Sequence, residues 1–183
     1  MARWYLVTMV FTFLVGSCVG PSSDLKRIDI PHGVAVPSDS PLVASDPRVI
    51  EREIFEQINV FRSQKGLSPL QSDSILSEGA RSHTAYMKRT AVAKGNPLLI
   101  SHDHFLKRTR AMQRAGASSS IAENVGVVKG VSKYYVARTL VQGWIDSPGH
   151  YKNLINPQYQ FVGTAVGWNP ENSAVFATQV FGA

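Results

Sequence analysis

Residues 144–154 read WIDSPGHYKNL, and this stretch is the most informative about the fold. It begins near the end of a helix predicted over residues 132–147, whose apolar side chains recur at helical spacing up to Trp144. The Pro–Gly pair at 148–149 ends that helix. His150 is therefore expected on a turn directly after an amphipathic helix, where backbone groups are free and an imidazole can serve a functional site.

Three more helices are predicted upstream of this stretch. The first is capped by Asp46, has Pro47 in its first turn and ends at Gly66. The second covers about residues 73–89, and a short third helix covers about residues 104–114. The first two carry apolar residues at helical spacing, so each of them has one face for a core.

The strands are predicted from β-rich runs at residues 121–128, 161–168 and 174–181. The last two runs are joined by the turn-forming residues 169–173, which predicts a C-terminal antiparallel hairpin. Both hairpin runs are almost continuously apolar, which is typical of strands covered on both faces. Helices followed by late antiparallel strands predict an α+β fold built as a three-layer α/β/α sandwich.

The N-terminus is predicted to be an export signal. Arg3 precedes a nearly unbroken apolar run over residues 4–15, which is too short to span a bilayer core of about 30 Å as a helix. Cys18 is the only cysteine and follows small residues at the expected cleavage point. Because these residues resemble a bacterial lipobox, residues 1–17 are interpreted as a lipoprotein signal peptide and Cys18 as the acylated residue. The alternative is an ordinary signal peptide with an incidental cysteine.

Residues 18–45 are rich in proline and serine and have neither helical nor strand periodicity, which predicts a tether. The globular domain is then residues 46–183. The protein is expected to be exported and held by acylated Cys18 at a membrane of the bacterial envelope. In a Gram-negative host this is the outer membrane, because Val19 stands where inner-membrane lipoproteins have aspartate. Without acylation the protein is expected to be secreted.

The composition limits the class of protein. With 44% hydrophobic and 17% charged residues, the chain can bury a sizeable core, which excludes wholesale disorder. One cysteine excludes an intrachain disulfide framework and a cysteine metal cluster. The net charge of +6 is not gathered into a basic run interleaved with aromatic residues, so no nucleic-acid partner is expected. The basic residues of the third helix are interpreted as its solvated face; they are Lys107, Arg108, Arg110 and Arg114.

Besides His150, one glutamate and three more histidines are candidates for a site. Glu123 lies inside an apolar run, where a carboxylate has to be paired, hydrogen-bonded or facing a cavity. His83 lies on the apolar face of the second helix and is interpreted either as a core residue or as a ligand. His102 and His104 are spaced to chelate a metal, but an Asx-type cap before the third helix is the preferred interpretation. No common catalytic motif is present, so no catalytic residue is assigned.

Six short motifs resemble, in the same order, those of the CAP superfamily (cysteine-rich secretory proteins, antigen 5 and pathogenesis-related proteins; also called SCP domains) in its disulfide-free bacterial branch. The motifs are FEQINVFR at 55–62 with GLSPL at 66–70, ARSHTAYM at 80–87, SH at 101–102, IAENV at 121–125, WIDSPGHYKNL at 144–154 and FVGTAV at 161–166. Each motif is short, and their common order carries the resemblance. We therefore expect residues 46–183 to be a CAP domain.

The resemblance implies an α/β/α sandwich with a large cleft that carries two histidines and two acidic residues. His83, Glu123 and His150 match three members of this tetrad by motif. In eukaryotic relatives the fourth member is a glutamate three residues after the tryptophan that matches Trp144, and Ser147 stands there in this chain. The expected cleft residues are therefore His83, Glu123, His150 and Ser147.

Three functions remain open. The first is a binding protein that holds a lipid, an envelope glycan or a protein in the His/Glu-lined cleft. The second is a metal-dependent envelope hydrolase, in which His83 and His150 bind Zn²⁺ and Glu123 acts as base or third ligand. The third is a surface interaction or virulence factor whose cleft is not catalytic. The binding protein is the leading hypothesis.

Overall fold

The computed structural model describes residues 46–169 and 173–183. The predicted signal peptide, the acylation site Cys18 and the tether lie outside the described residues, as do positions 170–172 of the hairpin turn. None of the helices in the described part is both long and apolar enough to cross a membrane.

The described chain combines helices with one sheet. In chain order the elements are α1 (Pro47–Gln64), β1 (Gln71–Ser72), α2 (Ser74–Ala93), α3 (Phe105–Arg114), β2 (Ile121–Lys129), α4 (Val136–Asp146), α5 (Pro148–Leu154), β3 (Phe161–Asn169) and β4 (Ala174–Gly182). A short 3-10 helix, Lys133–Tyr135, leads into α4. The predicted α+β class is confirmed, and every predicted helix and strand is present with its ends shifted by a few residues.

Aspartates set where the first two helices begin. The carboxylate of Asp46 accepts a hydrogen bond from the backbone N–H of Arg48 at 2.9 Å, and Pro47 occupies the first turn of α1. Asp73 accepts from the backbone N–H of Leu76 at 2.7 Å at the start of α2. These caps satisfy N–H groups that have no partner inside the helix, so both helix starts follow from local sequence.

The strands form one open sheet in the order β1-β3-β4-β2. β3 and β4 are the predicted antiparallel hairpin, with Phe161 opposite Gly182, and β2 pairs antiparallel with the other side of β4. The two-residue β1 runs parallel to β3 and is absent from the sequence prediction. Every residue of β4 is buried, so this central strand is covered on both faces as predicted.

Helices cover both faces of the sheet. α1 and α4 pack on one face around a core that includes Trp144, Val162 and Phe181. α2 packs on the other face against β3 and β4, where Met87 and Phe176 share a core. The predicted three-layer α/β/α arrangement is therefore present, and β2 forms one open edge of the sheet.

The close packing of α2 on β3 depends on Gly163. A Cβ atom added at this position would overlap the backbone of Leu76 and Ser77 in the first turn of α2. Backbone atoms cannot move aside as the end of a flexible side chain can, so a glycine is required there. The contact fixes α2 on the sheet, and with it His83, which lies further along the same helix.

The turn predicted around His150 is wrong. Pro148 occupies the first position of a new helix, α5, because that position needs no backbone donor and proline already has the helical φ. His150 is buried within α5. The Pro–Gly pair therefore ends one helix and starts the next, which redirects the chain without leaving His150 on a free loop.

Candidate functional site

Glu123 is the centre of a buried polar cluster. Its side chain is only 1% exposed, in the first half of β2. Nη2 of Arg108 lies 2.7 Å from each of its two carboxylate oxygens. Nδ1 of His102 lies 2.9 Å from Oε1. The carboxylate is thus surrounded by donors, as its burial requires.

These donors keep Glu123 ionised. Burial by itself raises the pKa of the Glu123 carboxyl group, because it penalises the charged form. The hydrogen bond from His102 and the positive charges around the carboxylate, Arg108 among them, outweigh burial and hold this pKa below its usual value. A carboxylate can only accept hydrogen bonds, so Nδ1 of His102 carries the hydrogen in this pair.

Donation through Nδ1 fixes the orientation of His102. Its Nε2 is then the nitrogen available to a group in the cleft, and the side chain is 16% exposed. The centroid of its ring lies 6.4 Å from that of His150. The Asx-type cap predicted for this loop is wrong, since the N-cap of α3 is His104, with φ 60°, and no described side chain caps the helix. His102 is therefore a site residue that the sequence interpretation assigned to a cap.

The solvated position predicted for Arg108 is also wrong. Its side chain is 12% exposed, whereas Lys107, Arg110 and Arg114 on the same helix are exposed as predicted. The guanidinium also donates through Nη1 to the backbone carbonyl of Asp103, and its Nε is buried without a partner among the described residues. α3 therefore directs one cation inward, toward the buried carboxylate on β2.

His83 is buried beside the same carboxylate. Its side chain is 1% exposed, and its Nε2 lies 2.7 Å from the backbone oxygen of Ser101 and 3.7 Å from Oε1 of Glu123. The carbonyl can only accept, so Nε2 carries the hydrogen. Burial lowers the pKa of His83, and the ring is neutral at pH 7. The bond to Ser101 holds the loop that presents His102.

His150 reaches the cluster from α5. Burial lowers the pKa of its ring to about 4, with a smaller contribution from the charge of His102, so His150 is neutral at pH 7. Asn124 donates through Nδ2 to the backbone oxygen of His150 at 3.3 Å and accepts from Asn153 at 2.8 Å. These amides fix α5 against β2. In the sequence, the role of Asn124 in holding α5 is indicated by its place beside Glu123 inside an apolar strand.

Ser147 stands where the resemblance places a second acidic residue. It is fully buried at the junction of α4 and α5. Its hydroxyl oxygen has no hydrogen-bond partner in the described part of the chain, so it is not paired with an imidazole as an activated nucleophile would be. Ser147 supplies no charge, and the charged pair of the cluster is Glu123 with Arg108.

An apolar groove meets the cluster along the free edge of β2. The groove is shallow and open to solvent, and only about 20 Å³ of it is accessible to a water-sized sphere. The lining residues are Ile100, Val125, Gly126, Val127, Val128, Thr139, Leu140, Gly143, Trp144 and His150. The indole N–H of Trp144 donates to the backbone oxygen of Val125 at 3.0 Å, which ties α4 to the strand edge. His150 belongs to both the groove and the cluster, so the two form one site.

The donor set around Glu123 does not fit a divalent metal. The ring nitrogens of His83 and His102 nearest to it both carry hydrogens, so neither directs a lone pair there. Both oxygens of Glu123 already bond to the guanidinium of Arg108. In the described part of the chain, no three His, Cys, Asp or Glu side chains are placed to hold a metal ion. That His83 and His150 bind Zn²⁺ stays a prediction, and among the described residues these two do not stand in a group of three such ligands.

Comparisons with known proteins agree with the resemblance that the sequence motifs indicate. A family model described as the cysteine-rich secretory protein family, CAP, matches residues 55–181. YkwD, an uncharacterized protein of Bacillus subtilis, is 26% identical over 132 residues, which are 72% of this chain and 47% of YkwD. This chain therefore spans about half the length of that curated relative.

Solved structures share the fold. An extracellular protein containing an SCP domain from Bacillus anthracis has a TM-score of 0.56 at 26% identity, covering 74% of this chain and 41% of that one. An outer surface protein from Borrelia burgdorferi has a TM-score of 0.55 at 22% identity, covering 75% of this chain and 94% of that one. The similarity extends over most of the described residues in both cases.

Proposed function

The chain belongs to the cysteine-rich secretory protein (CAP) family, and from that premise we propose that it binds an amphiphilic ligand. The groove along β2 holds the apolar part of the ligand, and His150 together with His102 hydrogen-bonds the polar end. The observation that carries the proposal is that an apolar groove meets two neighbouring imidazoles whose rings have nitrogens left for a ligand.

The lining of the groove favours a lipid over a glycan. Aliphatic side chains from β2 and α4, with the indole of Trp144, form most of its wall. Each methylene group buried there contributes about 0.8 kcal/mol to binding. Sugar hydroxyl groups would have few side-chain partners in the wall beyond Thr139 and His150, and an unpaired buried hydroxyl is costly.

The polar end of the ligand faces imidazoles of defined character. His150 is neutral at pH 7, so its ring offers one donor and one acceptor. His102 is held through Nδ1 by Glu123 and offers Nε2. A hydroxyl, amide or carboxyl group can bond to such a pair, and this is recognition without covalent chemistry. We therefore propose a binding protein and not a hydrolase.

The proposal includes export and lipid anchoring through Cys18. It is supported by the lipobox-like residues before Cys18 and by relatives described as an extracellular protein and as an outer surface protein. Replacing Cys18 by serine is expected to move the protein from the membrane fraction to the soluble fraction of cells. A Cys18→Ser protein that stays in the membrane fraction would show that this cysteine is not the anchor.

Ligand binding is tested by titrating the full chain with decanoate and with decanamide while recording NMR spectra of the His150 ring and the Trp144 indole. We expect saturable shifts of both signals. Thr139→Trp narrows the groove, and loss of contact with two methylene groups weakens binding about tenfold. Thr90→Trp, at a half-buried threonine outside the groove lining, is the matched control and should bind normally.

Two outcomes would contradict the lipid proposal. One is the absence of saturable shifts with either decanoyl compound. The other is equal affinity in the Thr139→Trp protein and the unchanged protein. If a cell-wall oligosaccharide shifts the same signals and the decanoyl compounds do not, the ligand is a glycan.

A further inference from the structure

Arg108 contacts Glu123 through one atom in a position that resembles a bound cation. Nη2 lies 2.7 Å from Oε1 and 2.7 Å from Oε2. In the common fork-shaped pair, two guanidinium nitrogens each bond a different carboxylate oxygen. Here a single nitrogen lies between both oxygens, which is where a metal ion held by a bidentate carboxylate would be.

The surroundings of this atom are those of a closed cation site. The side chains of Glu123 and Arg108 are 1% and 12% exposed. His102 lies 2.9 Å and His83 lies 3.7 Å from Oε1, so two imidazoles border the same carboxylate. His102 donates its Nδ1–H to this carboxylate and His83 donates its Nε2–H to the carbonyl of Ser101, so neither ring turns toward Glu123 the lone pair that a metal needs.

We infer that Arg108 is the built-in cation of this cleft and that it excludes divalent metals from Glu123. The guanidinium cannot lose its charge in a protein, so the exclusion is permanent. A metal ion at Glu123 would have to displace Nη2 and remain next to a buried positive charge. Removing the guanidinium leaves a buried carboxylate beside His102, whose hydrogen moves from Nδ1 to Nε2 when Nδ1 binds a metal, and carboxylate and imidazole are both ligand types that zinc binds. The inference concerns the protein without a ligand and does not rest on what the groove binds.

The test is Arg108→Met in the full chain, titrated with Zn²⁺ alone at pH 7.5 against a chromophoric chelator. The matched control is Arg110→Met, which replaces an exposed arginine of the same helix. The control and the unchanged protein should compete equally weakly with the chelator for zinc. Arg108→Met should bind one zinc ion about 10- to 100-fold more tightly than the unchanged protein, the range typical of changes in the shell around a metal site. Adding Glu123→Gln to Arg108→Met should abolish the gain, which separates this site from surface histidines.

Folding is followed by circular dichroism in the same samples. If Arg108→Met is unfolded without metal, zinc should restore its helical signal, and a protein that stays unfolded with zinc would overturn the inference. It would also be overturned if folded Arg108→Met binds zinc no better than the unchanged protein. Stoichiometric zinc in the unchanged protein, lost on Glu123→Gln, would overturn it directly, because metal and Arg108 would then share the site.

Discussion

The pairing of Glu123 with Arg108 predicts a strong and non-additive effect on stability. Glu123→Gln keeps the shape of the side chain and removes its charge. The guanidinium of Arg108 is then left 12% exposed without its carboxylate, while its Nε already has no partner among the described residues. Arg108→Met leaves the opposite problem, a carboxylate that is 1% exposed and has lost its cation.

The expected loss of folding free energy follows from the buried charge that each single substitution leaves without a partner. Removing one partner of a buried ion pair costs about 3–5 kcal/mol, because the remaining charge stays buried without compensation. We expect about 3 kcal/mol for Glu123→Gln, since the amide oxygen can still accept one bond from the guanidinium, and about 4 kcal/mol for Arg108→Met. The double variant leaves no charge uncompensated, so it should cost at least about 2 kcal/mol less than the sum of the single changes.

The assay is urea unfolding of the four proteins at pH 7, followed by circular dichroism and tryptophan fluorescence. The pH dependence gives a second check. The pKa of Glu123 is lowered in the folded state, so its contribution is present above the unfolded value of about 4.3 and is lost as the pH falls through the folded value. The difference in the free energy of unfolding between the unchanged protein and Glu123→Gln should therefore become smaller as the pH falls from 7 to 3.

Either of two results would refute this reasoning. If the two single changes add to within about 0.5 kcal/mol in the double variant, the two side chains do not act as a pair. If the stability gap for Glu123→Gln is the same at pH 3 and pH 7, the carboxylate is not the ionised group that the geometry requires.

Three other predictions concern different parts of the molecule. The pKa of His150 is about 4 in the folded state, so the unfolded state takes up a proton first, and the protein should lose up to about 3 kcal/mol of stability as the pH falls from about 6.5 to 4. Urea unfolding between these pH values should show a flatter dependence of stability on pH for His150→Gln, and an unchanged dependence would contradict the low pKa of His150. Arg62 is 1% exposed and donates hydrogen bonds to backbone carbonyls, which tie α1 to the chain around Leu154 and Tyr159. Arg62→Met should therefore lower the free energy of unfolding by about 3 kcal/mol or more, and a loss below about 1 kcal/mol would show that these bonds are dispensable. Gly163→Ala should lower the melting temperature more than Gly126→Ala, because a Cβ at 163 meets the backbone of α2 whereas a Cβ at 126 meets side chains that can move. Equal melting temperatures would contradict the close approach of α2 to Gly163.

Much of the architecture could be predicted from local patterns. Asp46 and Asp73 cap helices through bonds to residues two or three positions away, so their effect is written in adjacent sequence. The hairpin follows in the same way from two apolar runs joined by turn-forming residues. Pro148 is a local signal that misleads, because proline is compatible both with ending a helix and with starting one.

The composition of the site could be predicted only in part. Glu123 was a candidate because a carboxylate in an apolar strand needs partners, and the structure supplies them. The partners themselves were not identified. His102 lies 21 residues and Arg108 lies 15 residues from Glu123 in sequence, so no local pattern shows that they meet it, and nothing local distinguishes Arg108 from its neighbour Arg110.

The sequence by itself therefore determined most of the helices and strands, the order of the motifs and the need of one buried carboxylate for compensation, because each of these depends on residues close together in the chain or on burial alone. The tertiary structure decided which imidazole and which cation meet that carboxylate. The physical reason is that α3 packs on α2 in one orientation, which turns Arg108 toward β2 and leaves Arg110 in solvent, while the loop before α3 brings His102 to the same carboxylate.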